Sequence, residues 1–264
     1  MQTLYYLPDS LWVKVGAIIE PGPRRRKVSL RLILSGIVYL LSKGCKWRSL
    51  PPAYGDYKLV WYYLNKWAVY GTLDKALHQL GLELRRKQGR NEEPSLVIID
   101  AQAVKTPAGT ADETGYDANK KVKGRKRHLA TDTKGNVMAA GVTSAFVHDK
   151  TGARVLRDDV EDRMRVKTIV ADGAYSGTPA FDRAGTIAWQ IIERLEKGKF
   201  TPLPIRWIVE RTFAWLVNYR RLVRDYEKTI LMSRAMLIMT AIIITLKKLM
   251  TYFKTPSETN QSIQ

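Results

Sequence analysis

Ser95-Leu-Val-Ile-Ile-Asp100 is the stretch that decides the fold of this chain. A short β-branched run without helical spacing predicts a buried strand, and a second such run, Lys167-Thr-Ile-Val-Ala-Asp172, follows later. Each run ends in a carboxylate, which is costly to desolvate unless it is paired or binds a cation. We therefore expect Asp100 and Asp172 to stand at the C-terminal ends of two central strands, the edge of an α/β sheet where ligands collect.

The segments around these two strands predict an α/β fold with a mixed sheet. His128–Thr133 and Val137–Ser144 flank the turn signal Lys134-Gly-Asn136 and predict a hairpin, and Ala188–Leu195 predicts a further strand. Helical patterns then run from Leu203 to about Arg224 and from Ser233 to Phe253. The apolar run Ala235–Leu246 is too short to cross a bilayer comfortably, so we interpret it as a core helix.

The first third of the chain has a different sequence pattern. Residues 8 to about 90 predict helices, and Gln88-Gly-Arg-Asn-Glu-Glu-Pro94 predicts a linker. We expect a helical, helix-turn-helix-like DNA-binding domain over 1–90, a catalytic domain over 95–255 and a disordered tail over 256–264. The aromatic residues of Tyr57–Trp67 are typical of a core stripe, but Lys58 and Lys66 leave a DNA-facing role open.

Composition points to a polyanionic partner. The formal charge is +19 over 264 residues, with 16 basic and 7 acidic residues in positions 1–94 and 28 and 18 in the rest. A membrane surface is the competing polyanion, but no amphipathic anchor or lipidation signal is present, so nucleic acid is favoured. One cysteine and three histidines exclude a structural zinc site built from these ligands, and the single cysteine fits a reducing cytoplasm.

A third acid, Glu210, lies in the helical stretch Arg206-Trp-Ile-Val-Glu-Arg-Thr-Phe-Ala-Trp215. The helical spacing predicts a core stripe of Ile208, Thr212 and Trp215, which leaves Glu210 on another face beside arginines. Three carboxylates in a basic chain indicate a divalent-metal site for phosphodiester chemistry. Hard oxygen ligands suit Mg²⁺ or Mn²⁺, and two such ions can activate a water or 3′-hydroxyl. The alternative is that these acids are salt-bridge partners or caps.

The densest basic block precedes the predicted hairpin and contains Lys120, Lys121, Lys123, Arg125, Lys126 and Arg127. It fits either a solvated loop or a surface that binds phosphates, and we favour the second interpretation. Asp132 is a rival acid at a strand end, although Asp132-Thr-Lys-Gly-Asn136 is typical of ordinary hairpin chemistry. We expect Asp117, in a polar loop, to be solvated.

Several long blocks resemble bacterial insertion-sequence transposases of the insertion-sequence-5 family. The similarity covers about residues 20 to 250 and is carried by Gly44-Cys-Lys-Trp-Arg-Ser-Leu-Pro51, Asp100-Ala-Gln-Ala-Val-Lys-Thr106, Gly115-Tyr-Asp-Ala-Asn-Lys-Lys-Val-Lys-Gly-Arg-Lys-Arg-His128, Ala171-Asp-Gly-Ala-Tyr-Ser-Gly177 and the helix from Arg206. The resemblance implies an RNase H-like catalytic core with a DDE triad of Asp100, Asp172 and Glu210. In the family's extended signature Arg206 matches, whereas Leu203 replaces a Tyr and Val217 a Lys.

The resemblance implies a transposase that binds terminal inverted repeats, cleaves the element ends and joins 3′-hydroxyls to target DNA with two Mg²⁺ or Mn²⁺ ions. Its partner would be double-stranded DNA in the bacterial nucleoid, bound as a homodimer or larger assembly. Further expected DNA-binding residues are Arg24, Arg25, Arg26, Arg206, Arg220 and Arg221. Two alternatives remain: a catalytically inactive, transposase-derived DNA-binding protein, and a metal-dependent nuclease that cuts without joining.

Overall fold

A computed structural model describes most of the chain. The described residues are 6–19, 26–109, 111–162, 164–177, 180–192 and 205–252. Arg24, Arg25, Leu203 and the predicted disordered tail 256–264 therefore lie outside the described residues.

Four helices make up the first third of the chain: α1 (Asp9–Ile19), α2 (Leu30–Lys43), α3 (Tyr57–Val69) and α4 (Thr72–Lys87). Their ends follow the local sequence. The hydroxyl of Ser29 accepts a hydrogen bond from the Leu32 backbone N–H at the start of α2, and Gly44 ends that helix with φ 68°. The helical interpretation of residues 8 to about 90 is confirmed.

The rest of the chain forms a mixed sheet with helices. The strands are β1 (Leu96–Lys105), β2 (Gly115–Asp117), β3 (Val122–Thr131), β4 (Val137–Ser144), β5 (Thr168–Asp172) and β6 (Ala188–Ile192). The helices are α5 (Asp149–Gly152), α6 (Arg157–Glu161), α7 (Arg206–Val217) and α8 (Ile230–Met250). The predicted hairpin is confirmed as β3 and β4, and the predicted strand from Ala188 is β6.

The strand order gives the domain its fold. β1 pairs antiparallel with β3 and parallel with β5, β3 pairs antiparallel with β4, and β5 pairs parallel with β6. The short strand β2 pairs with the beginning of β3. Three antiparallel strands continued by two parallel strands, with helices on the sheet, form the predicted α/β fold, with the RNase H-like arrangement that the family resemblance implies.

Both faces of the sheet are covered by side chains from helices. Ile98, Leu129 and Val170 belong to a core shared with α7 and α8. Val97, Ile99 and Ile169 belong to a second core on the opposite face, which includes residues of the segment between β4 and β5. Because β3 lies between two strands and beneath two layers, its residues from Gly124 to Thr131 are all buried.

The helical first third shares its core with the remainder of the chain. Leu34 of α2, Leu64 of α3 and Leu84 of α4 lie in the same buried cluster as Leu237 of α8. A salt bridge adds to this contact, because Arg85 Nη1 lies 2.6 Å from Oδ2 of the fully buried Asp132. The boundary at residues 88–94 stays a prediction, but the segments on its two sides are packed against each other.

The helix α8 is apolar and long enough to cross a membrane by length and composition alone, yet 72% of its most apolar window is buried inside the protein. Buried residues occur on all of its faces, including Leu237, Ile238 and Met239 in succession. This burial confirms the interpretation of residues 235–246 as part of a core helix.

Candidate active site

The register of β1 and β5 brings Asp100 and Asp172 together. Leu96 lies opposite Thr168 and Ile98 opposite Val170, which is the last pair of this ladder, and Asp100 and Asp172 each follow that pair by two residues. Asp172 is the last residue of β5, as predicted. The prediction that Asp100 ends its strand is wrong, because β1 continues to Lys105 by pairing with β3 after it separates from β5.

Strand alternation turns both carboxylates toward α7. Side chains two residues apart share a face of a strand, so Asp100 lies on the face of Ile98 and Asp172 on that of Val170. Both apolar residues belong to the core that contains Val209 and Phe213 of α7. The buried stripe of α7 consists of Val209, Thr212, Phe213 and Leu216. The predicted Thr212 is confirmed, whereas the predicted Ile208 and Trp215 are half-buried and their neighbours Val209 and Leu216 are buried instead.

The three acids line one cavity of about 470 Å³. The lining residues are Asp100, Ala101, Gln102, Ala103, Lys120, Val122, Asp149, Asp172, Arg206, Glu210 and Phe213. Arg206 lies between two of the acids, with its Nη2 atom 3.1 Å from Glu210 Oε1 and 3.8 Å from Asp172 Oδ2. The guanidinium group of Arg206 therefore bridges two acids of the predicted triad.

The cavity disfavours an ionised Asp100. The pKa of Asp100 is raised to about 7. Burial is the largest cause, the carboxylates of Asp172 and Glu210 also raise it, and the Ala101 N–H and the Arg206 charge oppose this rise. Asp100 Oδ1 accepts that N–H at 2.8 Å, which orients the carboxylate. Among the described residues no group of three or more His, Cys, Asp or Glu side chains is close enough together to hold a metal ion. The acids thus share the cavity without converging on one point.

Two further acids support the cavity wall at the β2–β3 turn. Asp117 Oδ1 accepts hydrogen bonds from the backbone N–H groups of Asn119 and Lys120, each at 3.0 Å. Lys126 Nζ lies 3.1 Å from Asp117 Oδ2 and 2.8 Å from Asp149 Oδ1. The expectation that Asp117 is solvated is wrong because its carboxylate is buried against Lys126. Asp149 also lines the cavity, and no local pattern in the sequence marks its pairing with a lysine on another element.

The predicted phosphate contacts are wrong for Arg125, Lys126 and Arg127. Their exposed fractions are 0%, 6% and 2%, because they lie on the covered strand β3. Arg125 Nη1 lies 3.2 Å from Asp225 Oδ2, and Arg127 Nη1 donates to the Leu222 carbonyl at 2.7 Å. These two arginines hold the segment between α7 and α8 against the sheet.

The same segment also buries Arg221. Its Nη2 atom lies 2.7 Å from Oε1 of the buried Glu227, so the predicted phosphate contact is wrong for Arg221 as well. The exposed members of the predicted set are Lys120, Lys121, Lys123 and Arg220, and Arg26 is half-buried. Their contacts with DNA stay predictions.

Comparisons with known proteins agree with this arrangement. The family described as "Transposase DDE domain" matches residues 91–246, and the family described as "Putative transposase of IS4/5 family" matches residues 7–77. The first match contains Asp100, Asp172 and Glu210 and the whole sheet, and it covers more than half of the chain.

Two curated relatives come from Burkholderia cepacia. The putative transposase for insertion sequence element IS402 is 32% identical over 116 residues, which are 40% of this chain and 54% of the relative. The uncharacterized 16.2 kDa protein of the same element is 36% identical over 83 residues, which are 28% of this chain and 56% of the relative. The chain thus spans about half the length of these relatives.

Among solved structures, the crystal structure of the Mos1 strand transfer complex aligns over 89% of this chain and 81% of that chain, with 10% identity and a TM-score of 0.25. This likeness is too low to carry an argument. The family assignment depends instead on the two sequence-family matches and on the position of the acids. Together they show that the chain belongs to the IS4/5 family of DDE transposases.

Proposed function

We propose that this protein is a DNA transposase that binds the terminal inverted repeats of its element, cleaves the element ends and joins the 3′-hydroxyls to target DNA. The observation that carries the proposal is the single cavity lined by Asp100, Asp172 and Glu210. These residues come from β1, β5 and α7, and only the folded chain brings them together.

The donor set of the cavity fits divalent cations, whose use the DDE transposase family implies. Carboxylate oxygens are hard ligands that suit Mg²⁺ or Mn²⁺. The raised pKa of Asp100 has burial as its first cause and two neighbouring carboxylates as further causes, so a cation in the cavity would relieve an existing electrostatic penalty. We propose that Asp100, Asp172 and Glu210 hold two such ions, which when bound activate the attacking water or 3′-hydroxyl and stabilise the leaving oxygen.

Arg206 has two roles in this proposal. In the metal-free protein its guanidinium neutralises part of the charge on Glu210 and Asp172. If cations occupied these carboxylates, the guanidinium would be free to hold an oxygen of the DNA phosphate, for which its planar donors are suited. Arg206 would then orient the phosphodiester beside the three acids.

The charge of the protein supports DNA as the partner. The formal charge is +19, while the cavity itself is lined by four acids and two cations. Phosphate binding would therefore depend also on exposed basic residues outside the cavity lining, including Lys121, Lys123 and Arg220. On α3 the partly exposed Trp61 and Tyr62 accompany the exposed Lys58, and we propose this face for contacts with the element ends. Assembly as a homodimer or larger complex on nucleoid DNA belongs to the same proposal.

The test is a cleavage and joining reaction on DNA that carries the repeats flanking the coding sequence of this protein. With Mg²⁺ or Mn²⁺ we expect nicks at the repeat ends and covalent products joined to a target plasmid. Asp100→Ala, Asp172→Ala and Glu210→Ala should each abolish both products and retain DNA binding, while the exposed Asp112→Asn should behave like wild type.

The outcomes separate the proposal from its alternatives. Cleavage that depends on the triad but yields no joined product would identify a metal-dependent nuclease. Specific binding without cleavage in either metal would identify a DNA-binding protein derived from a transposase. A triad variant with near-normal joining would remove that residue from the proposed site.

A further inference from the structure

Two cationic side chains lie among the residues that line the cavity, Lys120 and Arg206. Their surroundings differ. The guanidinium of Arg206 is engaged with Glu210 at 3.1 Å and Asp172 at 3.8 Å. Lys120 is exposed, and its ammonium forms no ion pair with the described residues. Lys120 is thus the lining cation whose charge is not already neutralised within the described protein.

The backbone of Lys120 is held in place at the cavity wall. The Asp117 carboxylate accepts the N–H of Lys120 at 3.0 Å and also contacts Lys126 Nζ at 3.1 Å. Lys126 Nζ in turn contacts Asp149, another residue of the lining, at 2.8 Å. The next residue, Lys121, has φ 54° and reverses the chain into β3. This buried charge network fixes the backbone of the turn at the cavity wall. Little backbone entropy is therefore lost when Lys120 contacts a ligand.

The helix that carries Glu210 does not offer an equivalent charge. Residues 205–217 contain no lysine, and the two arginines in this stretch are committed elsewhere. Arg206 contacts the acids, and the guanidinium carbon of Arg211 lies 4.4 Å and 4.7 Å from the ring centroids of Trp207 and Trp215. Arg206 becomes available to a phosphodiester only if cations occupy these carboxylates, so a positive charge that is already free in the described protein has to come from another element.

We propose that Lys120 is that cation: it contacts the phosphate group that is cut and joined, whereas Lys121 and Lys123 contact phosphates outside the cavity. This inference rests on the proposed function and adds a residue-specific role to it. A compact ammonium group beside the reacting phosphate stabilises the negative charge that develops there, and it acts most strongly in a partly dehydrated cavity. The reaction itself is unchanged, because Lys120 neither accepts nor donates the transferred proton in this scheme.

Turnover at saturating DNA gives the first test, with duplexes that carry the flanking repeats and with Mg²⁺. Removing one preorganised donor from a reacting oxyanion costs about 10²-fold in turnover, so we expect a loss of that order in Lys120→Ala. Lys120→Arg should recover part of the loss, and Lys134→Ala, an exposed lysine at the other end of β3, should retain wild-type turnover. Equal turnover of Lys120→Ala and Lys134→Ala would overturn the proposal, as would a loss that appears only in the apparent affinity for DNA.

Site-directed crosslinking tests the contact without relying on activity. Lys120→Cys and Lys123→Cys are prepared with Cys45→Ser, since Cys45 is the single native cysteine. Each protein is incubated in Ca²⁺ with duplexes that carry a disulfide-activated thiol on one chosen phosphate. We expect Lys120→Cys to crosslink to the phosphate at the repeat end, and Lys123→Cys to crosslink only to neighbouring phosphates.

The two experiments together separate this inference from the proposed function. A wild type that cuts DNA while Lys120→Cys fails to crosslink at the cut phosphate overturns the role of Lys120 alone. A wild type that does not cut while Lys120→Cys crosslinks at the repeat end keeps the contact and overturns the transposase activity. If wild type does not cut DNA and Lys120→Cys does not crosslink at the repeat end, both proposals are overturned.

Discussion

Replacing Asp100 with Asn should make the metal-free protein more stable at neutral to alkaline pH. Burial and neighbouring carboxylates raise the pKa of Asp100 from 3.8 to about 7. A raised carboxyl pKa means that the fold disfavours the ionised form, so the penalty is absent below about pH 4, grows between about pH 4 and 7 and is complete above that range. Asn has no charge to bury, and its side-chain oxygen can still accept the Ala101 N–H.

The size of the effect follows from the same pKa. A rise of this extent corresponds to roughly 4 kcal/mol of differential interaction at most. Because Asp100 is only partly buried, solvent screens part of this energy, and we expect a gain of about 2 kcal/mol for Asp100→Asn at pH 8 and none at pH 4. Magnesium should make wild type more stable than Asp100→Asn. A cation at 100 times its Kd adds about 2.7 kcal/mol to the free energy of unfolding of the protein that binds it.

Urea unfolding of both proteins at pH 4, 6 and 8, with and without Mg²⁺, measures these differences. Asp112→Asn serves as the matched control, because Asp112 is an exposed acid outside the cavity lining and should leave the free energy of unfolding unchanged. A metal-free Asp100→Asn protein that is no more stable than wild type at pH 8 would refute the electrostatic argument. Equal stabilisation of both proteins by Mg²⁺ would refute Asp100 as a ligand.

Three further predictions follow from the packing and the charges. Asp132→Ala should lower the free energy of unfolding by roughly 3 kcal/mol or more, because the buried charge of Arg85 loses its carboxylate partner. A loss below about 1 kcal/mol in urea unfolding would contradict this prediction. Replacing Lys121 and Lys123 by Ala should flatten the log–log salt dependence of DNA binding by about 0.9 per lost contact. An unchanged slope in a salt titration would mean that both lysines are solvated. A fragment of residues 1–90 should not fold alone, because its helices share a core with α8; cooperative thermal unfolding of this fragment, followed by circular dichroism, would show the opposite.

The sequence by itself determined the class of fold, the three acids and the family. Buried strands, a hairpin turn and amphipathic helices are encoded by local spacing, so β4 and β5 could be predicted close to their observed positions. In contrast, β1 continues past Asp100 to Lys105, and β3 begins at Val122 inside the basic block that the sequence places before the hairpin. Asp100, Asp172 and Glu210 could be selected because each follows or interrupts an apolar pattern where a charge is costly. Their meeting in one cavity agrees with that selection.

Only the tertiary structure decided which charges face solvent. Arg125 and Arg127 are as basic in sequence as Lys121 and Lys123, but β3 is covered on both faces from Gly124 onwards, and its arginines donate to backbone carbonyls of the segment that joins α7 to α8. Asp132 was interpreted as hairpin chemistry, and it also binds Arg85 from the helical first third of the chain. Such pairings join residues far apart in sequence, so no local pattern encodes them. Burial and charge pairing depend on the packed layers around each residue, which exist only once the chain has folded.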